Sequence, residues 1–284
     1  LLKPDSSASA RGTRCKYVLW NPENGLGNRI LSIASTFLYA LLSNRVLLVE
    51  RSTDLDSIFC EPFPRSTWLR PRDFPLRNLP FGQKYPKSFG NQLRANKLIG
   101  TNPPAFIYAH LTNDYDDYDM RFYCEDSQLL LEKIPWLVLR SNQYFVPALF
   151  INPTFERELN QMFPDKEAVF HNLGRYLFHP SDAVWGLITS YYKDHLVAAK
   201  HRVGIQIRVF DKVKPFDLIL RQILNCTVSA KLLPEVDHLK HHVSPSAGEP
   251  SKAVLLASLH GVFYDKMKEM YSEHVGEGGE VVSI

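Results

Sequence analysis

The hydrophobic pattern of residues 16–50 predicts two strands on either side of one helix. Residues 16–20 and 45–50 are short apolar runs rich in β-branched or aromatic side chains, as buried strands are. Between them, apolar side chains recur at positions 30, 33, 34, 37, 38 and 41, which is the spacing of one face of a helix. The order strand, helix, strand favours a parallel pair of strands joined by a right-handed crossover.

The turn that enters this helix carries candidate chemistry; it reads Asn24-Gly25-Leu26-Gly27-Asn28-Arg29. Gly25 and Gly27 can take backbone angles closed to other residues, and they let a ligand approach the main chain. We expect Asn28 to cap the helix, whose free amides and dipole suit a phosphate. Arg29 would add a full positive charge. A tight turn that needs two glycines for structural reasons accounts for the same spacing.

A dinucleotide-binding fold is one alternative, with Glu50 on the second strand as the ribose ligand. That fingerprint requires a third glycine where this chain has Ile30, whose β-branched side chain would obstruct close packing of the helix on the strand. We therefore rank a different phosphate-bearing ligand above a nicotinamide dinucleotide.

The rest of the chain alternates between strand and helix patterns, apart from one irregular stretch. Residues 62–104 hold eight of the nineteen prolines, so they cannot form a long helix or a central strand, and we expect a surface excursion that contacts substrate. Strands are predicted at 105–111, 135–140, 203–211, 253–258 and 280–284, and helices after Asn152, after Ser181, at 215–226 and at 262–271. This alternation is typical of an α/β protein.

The most acidic segment, residues 113–119, follows a predicted strand and holds four carboxylates in six residues. Asp114 and Asp116 could ligate a divalent cation that holds a nucleotide diphosphate. Alternatively, one of them could serve as a general base whose pKa is raised by its neighbours. The structural alternative is a solvated acidic turn, although the interleaved tyrosines favour a loop that contacts sugar.

The strand pattern at 203–211 alternates strictly between apolar and other residues. One face carries valine and isoleucine, and the other carries Gly204, Gln206 and Arg208. Arg208 lies near the C-terminal end of the strand, where ligands bind in open α/β sheets. A guanidinium there can hold a diphosphate through two hydrogen bonds. An ion pair between Arg208 and Asp211 is the structural alternative.

Composition narrows the class of protein. A chain of 284 residues that is 45% hydrophobic can bury two ordinary cores, and a net charge of +3 does not indicate a nucleic-acid partner. No run of about eighteen apolar residues could span a bilayer. The four cysteines, Cys15, Cys60, Cys124 and Cys226, lie too far apart for a local zinc site and leave three disulfide pairings open. Residues 225–227 form a glycosylation sequon, which matters only in a secretory lumen.

Five motifs in order resemble the plant xyloglucan α-1,2-fucosyltransferases. They are Asn24 to Leu31, Cys60-Glu61-Pro62-Phe63-Pro64, Phe145-Val146-Pro147, Leu173-Gly174-Arg175-Tyr176-Leu177-Phe178-His179-Pro180 and Gly204 to Phe210. The resemblance runs from about Cys15 to Ile284. It implies an α/β fold of the GT-B-like class, with two Rossmann-type halves around a cleft.

The resemblance also implies an activity. Enzymes of this family move L-fucose from GDP-fucose to the 2-hydroxyl of a galactose and invert the anomeric centre. The acceptor would be a cell-wall polysaccharide or proteoglycan glycan, such as xyloglucan or arabinogalactan. The reaction would need no metal and no other cofactor, and it would take place on the lumenal side of the Golgi membrane.

The family's site residues can be carried over one at a time. Gly25, Gly27 and Asn28 match the Gly-x-Gly-Asn loop of related fucosyltransferases and would face the reaction centre. Arg208 matches the arginine of the first nucleotide motif, and our hypothesis is that it stabilises negative charge on the β-phosphate of GDP. Further donor-binding candidates are Arg29, Gly204, Gln206 and Phe210, and Asp114 or Asp116 is the candidate base.

We expect a linker over residues 1–14, an acceptor-side domain over 15–172 and a partial nucleotide-binding domain over 173–284. The family's membrane anchor and its last nucleotide motifs are missing from this sequence, so any membrane attachment would depend on that anchor. A truncated, non-catalytic glycan-binding relative is therefore the alternative to an enzyme.

Overall fold

The computed structural model describes residues 15–51, 54–74, 85–98, 104–210, 215–241, 250–276 and 279–284. Its contacts divide the chain into two compact units, Leu1–Ser181 and Asp182–Ile284. Residues 173–181 thus belong to the first unit, whereas the sequence placed a boundary after residue 172. The linker predicted over 1–14, Asp211 and parts of the proline-rich stretch lie outside the described residues.

The first unit is built on a four-stranded parallel sheet. The unit as a whole has six described strands: β1 (Lys16–Pro22), β2 (Arg45–Val49), β3 (Phe59–Cys60), β4 (Phe106–Leu111), β5 (Trp136–Ser141) and β6 (His179–Pro180). The sheet order is β2-β1-β5-β4, while β3 and β6 form a separate antiparallel ladder. The predicted parallel pairing of β1 with β2 is confirmed. Pro22 and Leu111 both lie opposite Ser141, so the segments that follow β1, β4 and β5 leave the sheet at the same edge.

Eight α-helices and one short 3-10 helix, Arg121–Tyr123, are described in this unit. The α-helices are α1 (Leu26–Leu42), α2 (Leu55–Ile58), α3 (Phe89–Arg94), α4 (Asp117–Met120), α5 (Glu125–Glu132), α6 (Val146–Ile151), α7 (Pro153–Met162) and α8 (Val169–Leu177). Of the predicted apolar face of α1, Ile33, Ala34, Phe37 and Leu38 are buried in the main core and Ile30 is half-buried. Leu41 is 45% exposed, so the prediction is wrong for this residue. As predicted, α7 begins after Asn152, whose side chain accepts a hydrogen bond from the backbone N–H of Thr154 at 2.9 Å.

The start of α1 differs from the prediction. Gly25 is the N-cap residue, so the prediction that Asn28 caps this helix is wrong; Asn28 lies inside the first turn. Neither Gly25 nor Gly27 has a positive φ, and the left-handed residue of the turn is Asn24, with a φ of 64°. The glycines are therefore not needed for the turn's backbone angles. A Cβ at either glycine would meet nothing within 4 Å, so open space lies beside the main chain.

The second unit has its own parallel sheet. The strands of the unit are β7 (His201–Ile207), β8 (Val236–His241), β9 (Lys252–Ser258), β10 (His274–Gly276) and β11 (Val282–Ser283). Its α-helices are α9 (Asp182–Tyr191), α10 (Phe216–Ser229) and α11 (Val262–Glu273), and a π-helical turn, Tyr192–Leu196, follows α9. The parallel order is β11-β9-β7, and β10 pairs with β8 in an antiparallel ladder. The apolar face predicted for β7 packs in the second core with Phe263 and Met267. Since β7 ends at Ile207, Arg208 follows the strand instead of lying within it.

The predicted α/β class is thus confirmed, with a parallel sheet in each unit. Among the described residues, no helix has both the length and the apolar character needed to cross a membrane.

Candidate active site

A chain of three asparagines joins the loops at the C-terminal edge of the first sheet. The side-chain amide of Asn28, in α1, donates to the backbone carbonyl of Asn142 at 2.9 Å. The side-chain amide of Asn142, just after β5, donates to Oδ1 of Asn113 at 3.0 Å, just after β4. The ends of β4 and β5 are therefore fixed to the first turn of α1.

Asn142 leaves one polar atom unsatisfied. The residue is 6% exposed, and its Oδ1 is a buried atom for which the described part of the chain provides no hydrogen-bond partner. An acceptor buried without a donor costs about 1–3 kcal/mol. A buried polar atom of this kind takes its missing hydrogen bond from water, an ion or a ligand.

An ion pair lies at the same edge. Nε of Arg140, in β5, is 2.8 Å from Oε2 of Glu23, which follows β1. Both side chains are about three-quarters buried. Burial lowers the pKa of Arg140, but the hydrogen bond and the charge of Glu23, together with the charges of Tyr108 and Asp114, raise it overall. The pair holds the segment before the glycine turn against β5.

A row of polar side chains runs along one face of β4 and ends at the surface. Ile107, Ala109 and Leu111 enter the main core, whereas Tyr108, His110 and Thr112 alternate with them. The Tyr108 hydroxyl is 2.8 Å from Nδ1 of His110, and Nε2 of His110 is 2.8 Å from Oδ1 of Asp114. The Thr112 hydroxyl donates to the same carboxylate oxygen and lies 3.0 Å from Nε2 of His110.

The two candidate carboxylates differ in their surroundings. The hydrogen bonds from Thr112 and His110 lower the pKa of Asp114, whose side chain is 62% exposed. Burial opposes ionisation of Asp116, but the backbone amides of Asp119 and Tyr118 and the guanidinium of Arg94 together hold its pKa below the ordinary value. The prediction that neighbouring acids raise the pKa of Asp114 or Asp116 is therefore wrong.

Asp116 has a structural task. It is the N-cap of α4, where it accepts from the amides of Tyr118 and Asp119 and forms a capping box with Asp119. It also forms an ion pair with Arg94. The carboxyl group with a raised pKa is that of Asp119, which is buried at the start of α4.

Two other predicted ligand groups are committed to neighbours within the first unit. The guanidinium of Arg29 forms an ion pair with Asp54, and its Nε donates to the backbone carbonyl of Asn24 at 2.9 Å. The positive charge of Arg29 is thus compensated. Glu50, the ribose ligand of the dinucleotide alternative, forms an ion pair with Arg70 at 2.9 Å and is largely buried.

The donor-binding candidates of the second unit form a separate group. Gly204 and Gln206 lie on the exposed face of β7, and a Cβ on Gly204 would meet nothing within 4 Å. The guanidinium carbon of Arg208 lies 4.9 Å from the centre of the Phe210 ring, which is 67% exposed. Within the described residues Arg208 has no ion-pair partner; Asp211 lies outside them.

No group of three histidine, cysteine, aspartate or glutamate side chains in the described residues could hold a metal ion. The four cysteines are exposed and none is joined to another.

Sequence reasoning missed Asn142, His110, Thr112 and the Glu23–Arg140 pair. One signal was available: positions 108, 110, 112 and 114 place tyrosine, histidine, threonine and aspartate at every second residue, which is the period of a strand face. Asn142 gave no such signal, because its partners lie 114 and 29 residues away.

Comparison with known proteins identifies the family. The family model described as "Xyloglucan fucosyltransferase" matches residues 1–284. A galactoside 2-alpha-L-fucosyltransferase of Pisum sativum is 47% identical over 274 residues, which is 95% of this chain and 48% of that protein. A protein of the same name from Arabidopsis thaliana is 46% identical and is covered to 49%. The chain thus spans about half the length of these curated relatives.

Among solved structures, the chain is similar to an arginine-to-lysine mutant of Arabidopsis thaliana FUT1 in complex with GDP. The TM-score is 0.83 and the identity 45%, over 95% of this chain and 59% of that one. This similarity supports the GT-B-like class that the sequence predicted. The chain belongs to the xyloglucan fucosyltransferase family.

Proposed function

We propose that this protein transfers L-fucose from GDP-fucose to the 2-hydroxyl of a galactose on a plant cell-wall glycan, xyloglucan or arabinogalactan, with inversion and without a metal. Family membership supports the proposal, as do the names of the Pisum sativum and Arabidopsis thaliana relatives and the GDP bound to FUT1. We place the reaction in the Golgi lumen. The partners are a nucleotide sugar and a glycan, with no nucleic acid.

The observation that carries the acceptor side of this proposal is the unsatisfied Oδ1 of Asn142. A sugar hydroxyl is a donor that fits this acceptor. The open space beside Gly25 and Gly27 gives a ligand access to the main chain near the first turn of α1, from which the side chain of Asn28 reaches Asn142. The glycan therefore binds at the C-terminal edge of the first sheet.

Arg208 carries the donor side. As the bond between the fucosyl carbon and the phosphate oxygen breaks, negative charge grows on the β-phosphate of GDP, and a guanidinium stabilises that charge through two hydrogen bonds. The guanidinium lies over the ring of Phe210 in a cation–π contact. Gly204 and Gln206 line the approach on the exposed face of β7.

Asp114 is the general base. The acceptor hydroxyl attacks the anomeric carbon of fucose and loses its proton to the carboxylate, while GDP departs. The Asp114 side chain is 62% exposed, against 34% for Asp116, and Asp116 already caps α4.

The test is transfer of labelled fucose from GDP-fucose to galactose-ended xyloglucan oligosaccharide, with the new linkage assigned by NMR. An α-1,2 product from the wild-type chain supports the proposal. Binding of glycan without binding of GDP would instead support a non-catalytic glycan-binding protein.

Arg208→Ala should lower the turnover rate about 10²–10³-fold, or roughly 3–4 kcal/mol. Arg208→Lys should be nearly as poor, because lysine cannot form the planar pair of hydrogen bonds. Arg202→Lys is the matched control: this arginine lies at the other end of β7 and bonds to the carbonyls of Leu196 and Val197, so turnover should stay normal. Near-normal turnover of Arg208→Lys would refute the two-bond contact.

A further inference from the structure

The polar row of β4 connects buried groups to one exposed carboxylate. Tyr108, His110 and Thr112 are almost completely buried, and His110 is 3% exposed. Each is hydrogen-bonded to the next member of the row or to Asp114, whose side chain is mostly exposed. Buried polar side chains on a strand are costly unless they are paired. Among the described residues these side chains satisfy one another, and the row reaches the surface at Asp114.

The hydrogen-bond contacts of His110 indicate which ring nitrogen donates and which accepts. Burial raises the pKa of Tyr108, so its hydroxyl keeps its proton and can donate to Nδ1 of His110. Nε2–H of His110 then donates to Oδ1 of Asp114, beside the donated hydroxyl of Thr112. Two donors on one oxygen fix the rotation of the carboxyl group.

We propose that His110 and Thr112 are positioning residues, which hold Asp114 in the orientation that receives the proton of the acceptor hydroxyl. This inference rests on the proposed function and extends it, because it assigns two buried residues to the reaction and separates Asp114 from Asp116. Asp116 contacts neither positioning residue and is held instead by Arg94 and the amides of α4.

Other charged or titratable groups also lie around His110. They are Tyr108 on the same strand, Asp114 after it, Arg140 opposite it on β5 with its partner Glu23, and Asp119 at the start of α4. Of these, Asp114 is the acid that bonds directly to the imidazole. A substitution of His110 or Thr112 therefore affects the carboxyl group of Asp114 first.

The test uses Thr112→Val, which removes one hydroxyl while keeping the shape of the side chain. A base must be deprotonated to act, so turnover falls as the pH drops through the pKa of Asp114. The Thr112 and His110 hydrogen bonds lower that pKa, so their loss raises it. The acid limb of the plot of kcat against pH should therefore move to higher pH, and the maximal kcat should fall by about tenfold with little change in KM.

Two further pairs of variants separate positioning from packing. His110→Gln keeps an N–H that can reach Asp114, so it should retain more activity than His110→Leu. Asp116→Asn applies the same chemistry as Asp114→Asn to a capping residue, so it should lower the melting temperature without moving the acid limb. An acid limb of Thr112→Val that coincides with that of an active wild type would overturn the inference and leave the proposed function standing.

A measurement without turnover completes the test. In NMR spectra of the full chain, the Cε1–Hε1 signal of His110 should shift in Asp114→Asn and stay in place in Asp116→Asn. A His110 signal that does not shift in Asp114→Asn would show that His110 and Asp114 are not in contact. Absence of transfer by the wild type, by contrast, would count against the proposed function.

Discussion

Replacing Asn142 with leucine should separate stability from glycan binding. Leucine has the same number of side-chain heavy atoms as asparagine and a similar shape, but it has no polar group. Asn142 has one hydrogen bond from its side chain, to the exposed Asn113, and one buried oxygen with no partner in the described chain. The substitution removes both features at once.

The expected change in stability follows from these two contacts. Loss of the hydrogen bond costs about 0.5–1.5 kcal/mol, although water can replace it at the exposed Asn113. Removal of the unsatisfied oxygen returns about 1–3 kcal/mol. The free energy of unfolding should therefore change by between about −0.5 and +2.5 kcal/mol. A bound glycan would lose one hydrogen bond of about 0.5–1.5 kcal/mol, so its dissociation constant should rise roughly 2- to 13-fold.

Chemical denaturation and calorimetry with a galactose-ended xyloglucan oligosaccharide measure the two quantities. Asn152→Leu is the matched control, since Asn152 is 3% exposed and both its groups are bonded, to the carbonyl of Tyr123 and the amide of Thr154. The control should lose about 1–3 kcal/mol of stability and bind glycan normally. The reasoning is refuted if Asn142→Leu is destabilised as much as the control, or if it binds glycan as tightly as the wild type.

Two predictions concern the contact between α3 and α4. Gly90→Ala should destabilise the first unit by about 1–3 kcal/mol in a denaturation series, because the new Cβ would collide with the Asp119 carboxylate and lie 3.0 Å from its backbone nitrogen. Combining Gly90→Ala with Asp119→Ala should recover part of the lost stability. Additive losses in the double variant would contradict the clash. Burial raises the folded-state pKa of Asp119, so its contribution to stability is greatest below the ordinary carboxyl pKa and falls as the pH rises through the raised value. The melting temperature of Asp119→Asn relative to wild type should therefore increase between about pH 4 and pH 7. A difference in melting temperature that does not change with pH would show that the pKa of Asp119 is not raised.

The sequence was informative where the physical cause is local. The apolar period of α1 and the alternation of β7 depend on neighbours a few residues apart, and both faces were predicted correctly except at Leu41, which is exposed near the end of α1. The cap of α7 is local too, because Asn152 bonds to an amide two residues ahead.

Contacts between distant segments were not predictable. The capping rule favours Asn28 at the start of α1, but its side chain bonds to a carbonyl 114 residues away, and the helix begins earlier. The Glu23–Arg140 pair spans 117 residues. The acidic cluster at 113–119 shows the same limit, because composition alone cannot distinguish the cap Asp116, the buried Asp119 and the exposed Asp114.

The strand order of the first sheet constrains how the nascent chain can fold. β1 can pair with β2 as soon as residue 49 has left the ribosome, but its other edge waits until residues 136–141 arrive as β5. Until then the edge of an otherwise buried strand, with Val18 and Trp20, is open to other chains. The ladder at residues 59–60 closes later still, when residues 179–180 emerge, and Ser181 then bonds to the carbonyls of Ser57 and Ile58. An expression fragment of this unit should therefore run through Ser181, and shorter ones should aggregate during synthesis.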